Sequence, residues 1–188
     1  MTVPEKRIDR DRLWRMVRPF APHRTHDAIE GLSVPSLLAE GVRFLLLDVD
    51  GTLLTHGDAE VPENVRAWID EAKAAGLTLC IISNTRRPAR LAKIAESVGV
   101  PYLIGAGQDK KPSPALYRKA LAQFGHEARH ALMVGDQVFT DVWGANRAGI
   151  GSILVLPRSR KEFIGTRLLI RPLEAIVLEH VRRRGARP

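Results

Sequence analysis

The chain has 188 residues, 45% of them hydrophobic and 27% charged, which is the composition of a soluble globular protein with mass enough for one real core. A single cysteine, Cys80, excludes an internal disulfide and a multi-cysteine zinc site, and no apolar run approaches the ~20 residues of a membrane-spanning helix. The net charge of +8 sits at the ends: residues 1–24 hold seven Lys/Arg against three acids, residues 158–188 nine against three, and the middle is left at −2.

Basic ends suit an anionic neighbour, a membrane surface or nucleic acid, and equally suit plain solvation. The charged start "MTVPEKRIDRDR" is unlike a secretion signal, so a cytoplasmic protein is expected, peripheral on the inner face of the membrane if its ends bind lipid. Oligomeric state is not readable from the chain.

In chain order, "IDRDRLWRMVRPF" over 8–20 places Ile8, Leu13, Met16, Val17 and Phe20 roughly on one side of a short helix. That helix suits docking on the body or, with Trp14, a membrane interface. "SVPSLLAEG" reads as a short helix capped by Ser33 and closed by Gly41. Strands and helices then alternate. "RFLLLDV" is an apolar strand of the kind buried on both faces. A helix follows Pro62, with Val65, Trp68, Ile69, Ala72 and Ala75 at helical spacing and Gly76 at its end.

The strand "LTLCIIS" buries Cys80 as an inert thiol. "RPARLAKIAESVG" is a helix, "PYLIG" a third strand, and "PSPALYRKALAQFG" a helix closed by Gly125. "HALMVGD" is a fourth strand, "FTDVWGANRAG" a helix, "GSILVLP" a fifth strand, and "RPLEAIVLEHVRRR" a last amphipathic helix. This alternation predicts an α/β fold with a central parallel five-stranded sheet between helices. Three parts are expected: a basic N-terminal helical segment over 1–40 packed on the core, a core over 41–157, and a basic helix and tail over 158–188.

Ligands of open α/β sheets bind outside the carboxyl ends of the strands. "LLLDVDGTLL" ends the first strand on Asp48 and Asp50. Asp50-Gly51 between apolar runs is also a hairpin signal, but the strand-helix alternation argues against it. The second strand ends in Ser83-Asn84, the third leads to Lys110-Lys111-Pro112, and the fourth ends in Gly135-Asp136, with Asp141 five residues on. Carboxylates, a hydroxyl and a lysine gathered at one sheet edge are the parts needed to transfer a phosphoryl group to an aspartate. A carboxylate attacking a phosphate dianion needs a divalent cation between them, and Mg²⁺ takes oxygen ligands. A side-chain oxygen of Asp48, the main-chain carbonyl of Asp50 and the carboxylate of Asp136 supply such a set.

The ordered stations "DVDGT" (48–52), Ser83, Lys111 and "GDQVFTD" (135–141) resemble the haloacid dehalogenase superfamily, with its three-layer Rossmann-like core, over roughly Phe44 to Leu156. That resemblance implies Asp48 as nucleophile, forming an aspartyl-phosphate, and Asp50 as the acid and then the base. It implies Ser83, Asn84 and Lys111 at the phosphoryl group, Mg²⁺ on Asp48, Asp50 and Asp136, and Asp141 in support. An aspartate at position 50 marks the phosphatases of the superfamily, because an alkoxide leaving group needs a proton.

Only 32 residues separate Asp50 from Ser83 and 27 separate Ser83 from Lys111, too few for a cap domain. An open site suits a large or surface-bound substrate. "GDQVFTDVWGANRAGIGSILVLP", with "ISN", is similar to the capless class III branch that contains YqeG-like bacterial proteins and mitochondrial-type phosphatidylglycerophosphate phosphatases. The implied reaction is hydrolysis of phosphatidylglycerophosphate to phosphatidylglycerol in phospholipid synthesis. Gly51 departs from the asparagine common in that branch. A general phosphatase on nucleotide or sugar phosphates is the alternative enzyme. An RNA- or ribosome-associated binding protein on the same scaffold is the alternative from another class.

Overall fold

The computed structural model describes residues 16–158; the expected helix start over 8–15 and the expected last helix and basic tail beyond Arg158 lie outside them. Six parallel strands form one sheet in the order β1-β6-β5-β2-β3-β4. They are β1 (Arg24–His26), β2 (Phe44–Leu47), β3 (Thr78–Ser83), β4 (Tyr102–Ile104), β5 (Ala131–Gly135) and β6 (Gly151–Val155). The helices are α1 (Val34–Ala39), α2 (Glu63–Ala74), α3 (Pro88–Val98), α4 (Pro114–Phe124) and α5 (Trp143–Ala148).

The sheet therefore has one strand more than the five expected. Arg24, Thr25 and His26 contain no apolar residue, so they carry no strand pattern of their own. They are strand because they pair in parallel with Ile153, Leu154 and Val155 of β6.

Alternation along the strands sorts the core into two layers. Leu45, Leu47, Leu79, Ile81, Val134 and Ile153 face α1, α2 and α3. Phe44, Leu46, Cys80, Ile82, Ala131 and Met133 face α4 and α5. Both sides of β2 are thus apolar, as its unbroken run FLLL requires. Burial pushes the Cys80 thiol up to about 12, consistent with an inert side chain.

Helix ends follow local chemistry. Ser33 accepts from the Ser36 amide at the start of α1, and Gly99 and Gly125 close α3 and α4 in the left-handed conformation. The expected helix over 139–149 differs: its first turn, Val138–Val142, is a π-turn, and α5 proper begins at Trp143. On its outer side Val17 and Phe20 pack against Val138, Val142 and Leu154, so the described end of the first segment docks on the body. No helix among the described residues is long and apolar enough to cross a membrane.

β2 pairs with β3 on one side and with β5 on the other. From β2 the chain winds outward through β3 to β4, then returns to build β5 and β6 on the opposite side. The carboxyl ends of β2 and β5 therefore flank the point where winding reverses, which is where open α/β sheets bind ligands.

Candidate active site

Four strand ends converge there. Asp48 immediately follows β2, its amide donating to Val134 O of β5 at 3.0 Å. Ser83 ends β3, Lys111 lies between β4 and α4, and Asp136 follows β5. Asp48, Ser83, Lys111, Asp136 and Asp141 are all buried, an environment that polar side chains occupy only with partners.

Lys111 Nζ donates to Asp48 Oδ1 at 2.5 Å and to Asp141 Oδ1 at 2.7 Å. Burial pulls the lysine down, but Asp141 and Asp48 outweigh it and hold the ammonium above the usual lysine range. Asp48 is lifted to about 7, first by burial, with Lys111 opposing and Asp141 adding to the rise. One cation therefore faces more negative charge than it neutralises.

Lys110 is exposed, so the lysine that enters the site is Lys111. Asn84 fixes it there. The Asn84 amide donates to Lys111 O and accepts from Lys111 N, each at 2.8 Å. Asn84, expected among the phosphate-binding groups, lines the same cavity as Ser83 and Lys111 and bonds the main chain of the lysine.

Asp48, Asp136 and Asp141 each offer a carboxylate oxygen within 4.8 Å of the others. Three buried carboxylates with one ammonium are a hard-oxygen, charge-excess set, and a divalent cation fits it. The backbone is shaped around them. Gly51 has φ +86°, and a Cβ there would stand 2.5 Å from Asp136 Oδ2. A Cβ at Gly135 would stand 2.4 Å from Asp141 Oδ2. Gly51 thus stands against the Asp136 carboxylate as that side chain is placed in this protein. Gly51→Ala should strain the left-handed turn and push Asp136 aside, costing ~1–3 kcal/mol and lowering the melting temperature by several degrees.

Asp50 is held differently. Arg90, in the first turn of α3, grips its carboxylate with two bonds, Nη2 to Oδ1 at 2.7 Å and Nη1 to Oδ2 at 3.1 Å. Arg90 Nε also donates to Asp58 O at 2.8 Å, tying the loop after the first station to α3. Arg158 secures the same loop from the other side. Its amide donates to Gly51 O at 3.2 Å, its Nε to Thr52 O at 2.8 Å, and its Nη2 pairs with Glu30. Tyr117, kept protonated by burial, donates to Thr140 O at 2.9 Å and Asp141 O at 3.2 Å, and so steadies the π-turn.

Arg90, Arg158 and Tyr117 were not legible as site residues. Arginines in a basic chain resemble solvated charge, and a tyrosine on an apolar helix face resembles core. For Arg90 alone a signal existed: it follows the Ser83 station within one turn of a predicted helix start.

These groups open into a cavity of about 420 Å³ lined by Asp48, Asp50, Ser83, Asn84 and Lys111, and also by His56, Arg86, Arg87 and Arg90. Ser83 Oγ accepts from the Thr85 amide at 3.2 Å, which leaves its proton to another acceptor. No cap domain covers this opening among the described residues. The segments joining the first three stations hold only α2, β3, α3 and β4, together with a 3₁₀ turn.

Comparison with known proteins bears on what such an arrangement does. Residues 28–149 match the model of the haloacid dehalogenase-like hydrolases. "Probable phosphatase YqeG" of Bacillus subtilis is 27% identical over 166 residues, 88% of this chain and 94% of that protein. "Phosphatidylglycerophosphate phosphatase 1, chloroplastic/mitochondrial" of Arabidopsis thaliana is 25% identical over 175 residues, 89% of this chain but 49% of that protein. Among solved structures, a 4-nitrophenylphosphatase from Thermotoga maritima shares the fold with a TM-score of 0.54 at 12% identity, over 69% of this chain and 90% of that one.

Proposed function

The chain belongs to the haloacid dehalogenase-like hydrolase family, as a phosphatase, and from that premise we propose that it hydrolyses phosphatidylglycerophosphate through an aspartyl-phosphate on Asp48. The observation that carries the reaction is Lys111 Nζ, held between Asp48 and Asp141 at the buried end of an open cavity.

Asp48 attacks phosphorus with a carboxylate oxygen. Lys111 and the Ser83 hydroxyl bind the phosphoryl oxygens and offset charge as it builds on them. Asp50, once it has left Arg90 and taken a proton from solvent, gives that proton to the leaving alkoxide and then takes one from the water that cleaves the acyl phosphate. In the resting protein Arg90 keeps the Asp50 carboxylate at the mouth of the cavity. Asp141 orients Lys111, and the Gln137 amide, donating to Asp141 Oδ2 at 3.1 Å, orients Asp141. Asp48 and Asp136, with the main-chain carbonyl of Asp50, would hold Mg²⁺, which when bound would screen the dianion from the carboxylates.

The lipid substrate is favoured by the Arabidopsis relative's name and by a site without a cap, which admits a headgroup still attached to a surface. Peripheral membrane contact through the basic ends belongs to the same proposal. In Mg²⁺ the protein should hydrolyse p-nitrophenyl phosphate and lose that activity in EDTA. On a panel of phosphate monoesters, short-chain phosphatidylglycerophosphate should give a kcat/KM at least tenfold above nucleotide and sugar monophosphates. A nucleotide or sugar phosphate at the top of the panel would replace the lipid by a soluble substrate.

A further inference from the structure

The lining of the cavity divides by burial: Asp48, Ser83 and Lys111 are buried, whereas Arg86 and Arg87 are exposed and Arg90 is half-buried. Arg90 is committed to Asp50 and Asp58 O. Arg86 and Arg87 line the same wall, and among the described residues their guanidinium groups make no hydrogen bond or ion pair.

Among the other described arginines most have partners, and Arg18 and Arg118, which have none, do not line the cavity. Arg24 pairs with Glu40, Arg129 with Glu127 and Arg158 with Glu30, while Arg43, Arg66 and Arg147 donate to main-chain carbonyls. The local backbone is also shaped to present the pair. Thr85 N donates to Ser83 Oγ and Arg87 N to Thr85 Oγ1 at 3.0 Å, so the loop from Ser83 to Arg87 turns on its own hydroxyls. Pro88 then starts α3 and fixes the loop's far end.

Resting on the phosphatase reading, we propose that Arg86 and Arg87 form a subsite for a second phosphate, so that the substrate is a phosphate monoester carrying another phosphate. Two open guanidinium forks match phosphate oxygens in pairs, geometry that a lone hydroxyl or carbonyl would not use. The scissile phosphorus must meet Asp48 at the buried end, so Arg86 and Arg87 are left for an anion that does not react. A cavity of about 420 Å³ lies within the range that holds small ligands, with room beyond a single phosphate. The second phosphate comes from a lipid headgroup, as a phosphodiester, or from a soluble bisphosphate.

The test compares substrates within each protein. Dihexanoyl phosphatidylglycerophosphate and fructose 1,6-bisphosphate each carry the second phosphate, and p-nitrophenyl phosphate does not. In the Arg86→Ala/Arg87→Ala protein the ratio of kcat/KM for the two-phosphate substrate over p-nitrophenyl phosphate should fall at least tenfold, mainly through KM. Arg118→Ala, which removes an exposed charge outside the cavity, should leave that ratio at the parent value. A fall with the lipid assigns the subsite to a headgroup, and a fall with the sugar bisphosphate assigns it to a soluble substrate. Unchanged ratios for both, or an equal fall in Arg118→Ala, would overturn the subsite while leaving the phosphatase reading intact.

A parent protein that hydrolyses none of the three would instead remove the phosphatase reading. The subsite is then decided by titrating the same lipid into Asp48→Asn protein in Mg²⁺, with and without the two arginine changes. Binding at least tenfold weaker without the arginines supports it, and equal binding discards it.

Discussion

Asp48→Asn protein should hydrolyse p-nitrophenyl phosphate at least ~10³-fold more slowly than the parent, because the amide oxygen cannot form the acyl phosphate. The same variant should be more heat-stable than the parent in EDTA at pH 8. Burial raises the Asp48 carboxyl to about 7, above its unfolded value of 3.8. The folded state therefore binds this proton more tightly than the unfolded chain does. Metal-free stability must fall as pH rises from about 4 to about 7, and above that the full penalty of a buried, ionised Asp48 is in place. Asparagine carries no such charge. Thermal unfolding in EDTA at pH 5 and pH 8 separates the cases: the parent loses several degrees between them and the variant loses less. Near-parent activity in a folded Asp48→Asn protein would remove Asp48 as the nucleophile.

Lys111→Ala should cost about 10²–10³ in kcat/KM, whereas Lys110→Ala should stay within about twofold of the parent. Lys111 is 6% exposed and bonds two carboxylates, while Lys110 stands in solvent. Losing the ammonium leaves Asp48, Asp136 and Asp141 crowded without their internal cation. Breaking a buried pair in this way costs ~3–5 kcal/mol. The variant's melting temperature should accordingly drop in EDTA and recover in part with Mg²⁺. Equal losses from the two lysine variants would contradict the burial of Lys111 as the source of its importance.

What could be read from the chain follows from how local each signal is. Asp48 and Asp50 stand out because an apolar strand ends on them, and Ser83, Lys111 and Asp136 because each lies at the carboxyl side of a predicted strand. The structure brings all of them to one cavity or its buried end. The choice between Lys110 and Lys111 was not local. It depends on Asn84, 27 residues away, bonding the main chain of one and not the other. β1 was invisible for a related reason: its residues are polar, and only pairing with β6 makes them strand. Arg158 joins the loop after Asp50 through main-chain carbonyls, which no residue pattern encodes.

The reversal of winding between β2 and β5 also bears on how the molecule folds. Lys111 lies 63 residues from Asp48 and 30 from Asp141 along the chain, so the ion pairs at the centre of the site are among its long-range contacts. Closing such loops costs entropy before any contact repays it, and folding slows as the mean separation of contacts grows. No fragment containing only β2, β3 and β4 has the Asp136 and Asp141 carboxylates, and none beginning at β5 has Asp48 or Lys111. A nascent chain therefore brings Asp48, Lys111, Asp136 and Asp141 together only after its sheet has closed from both directions.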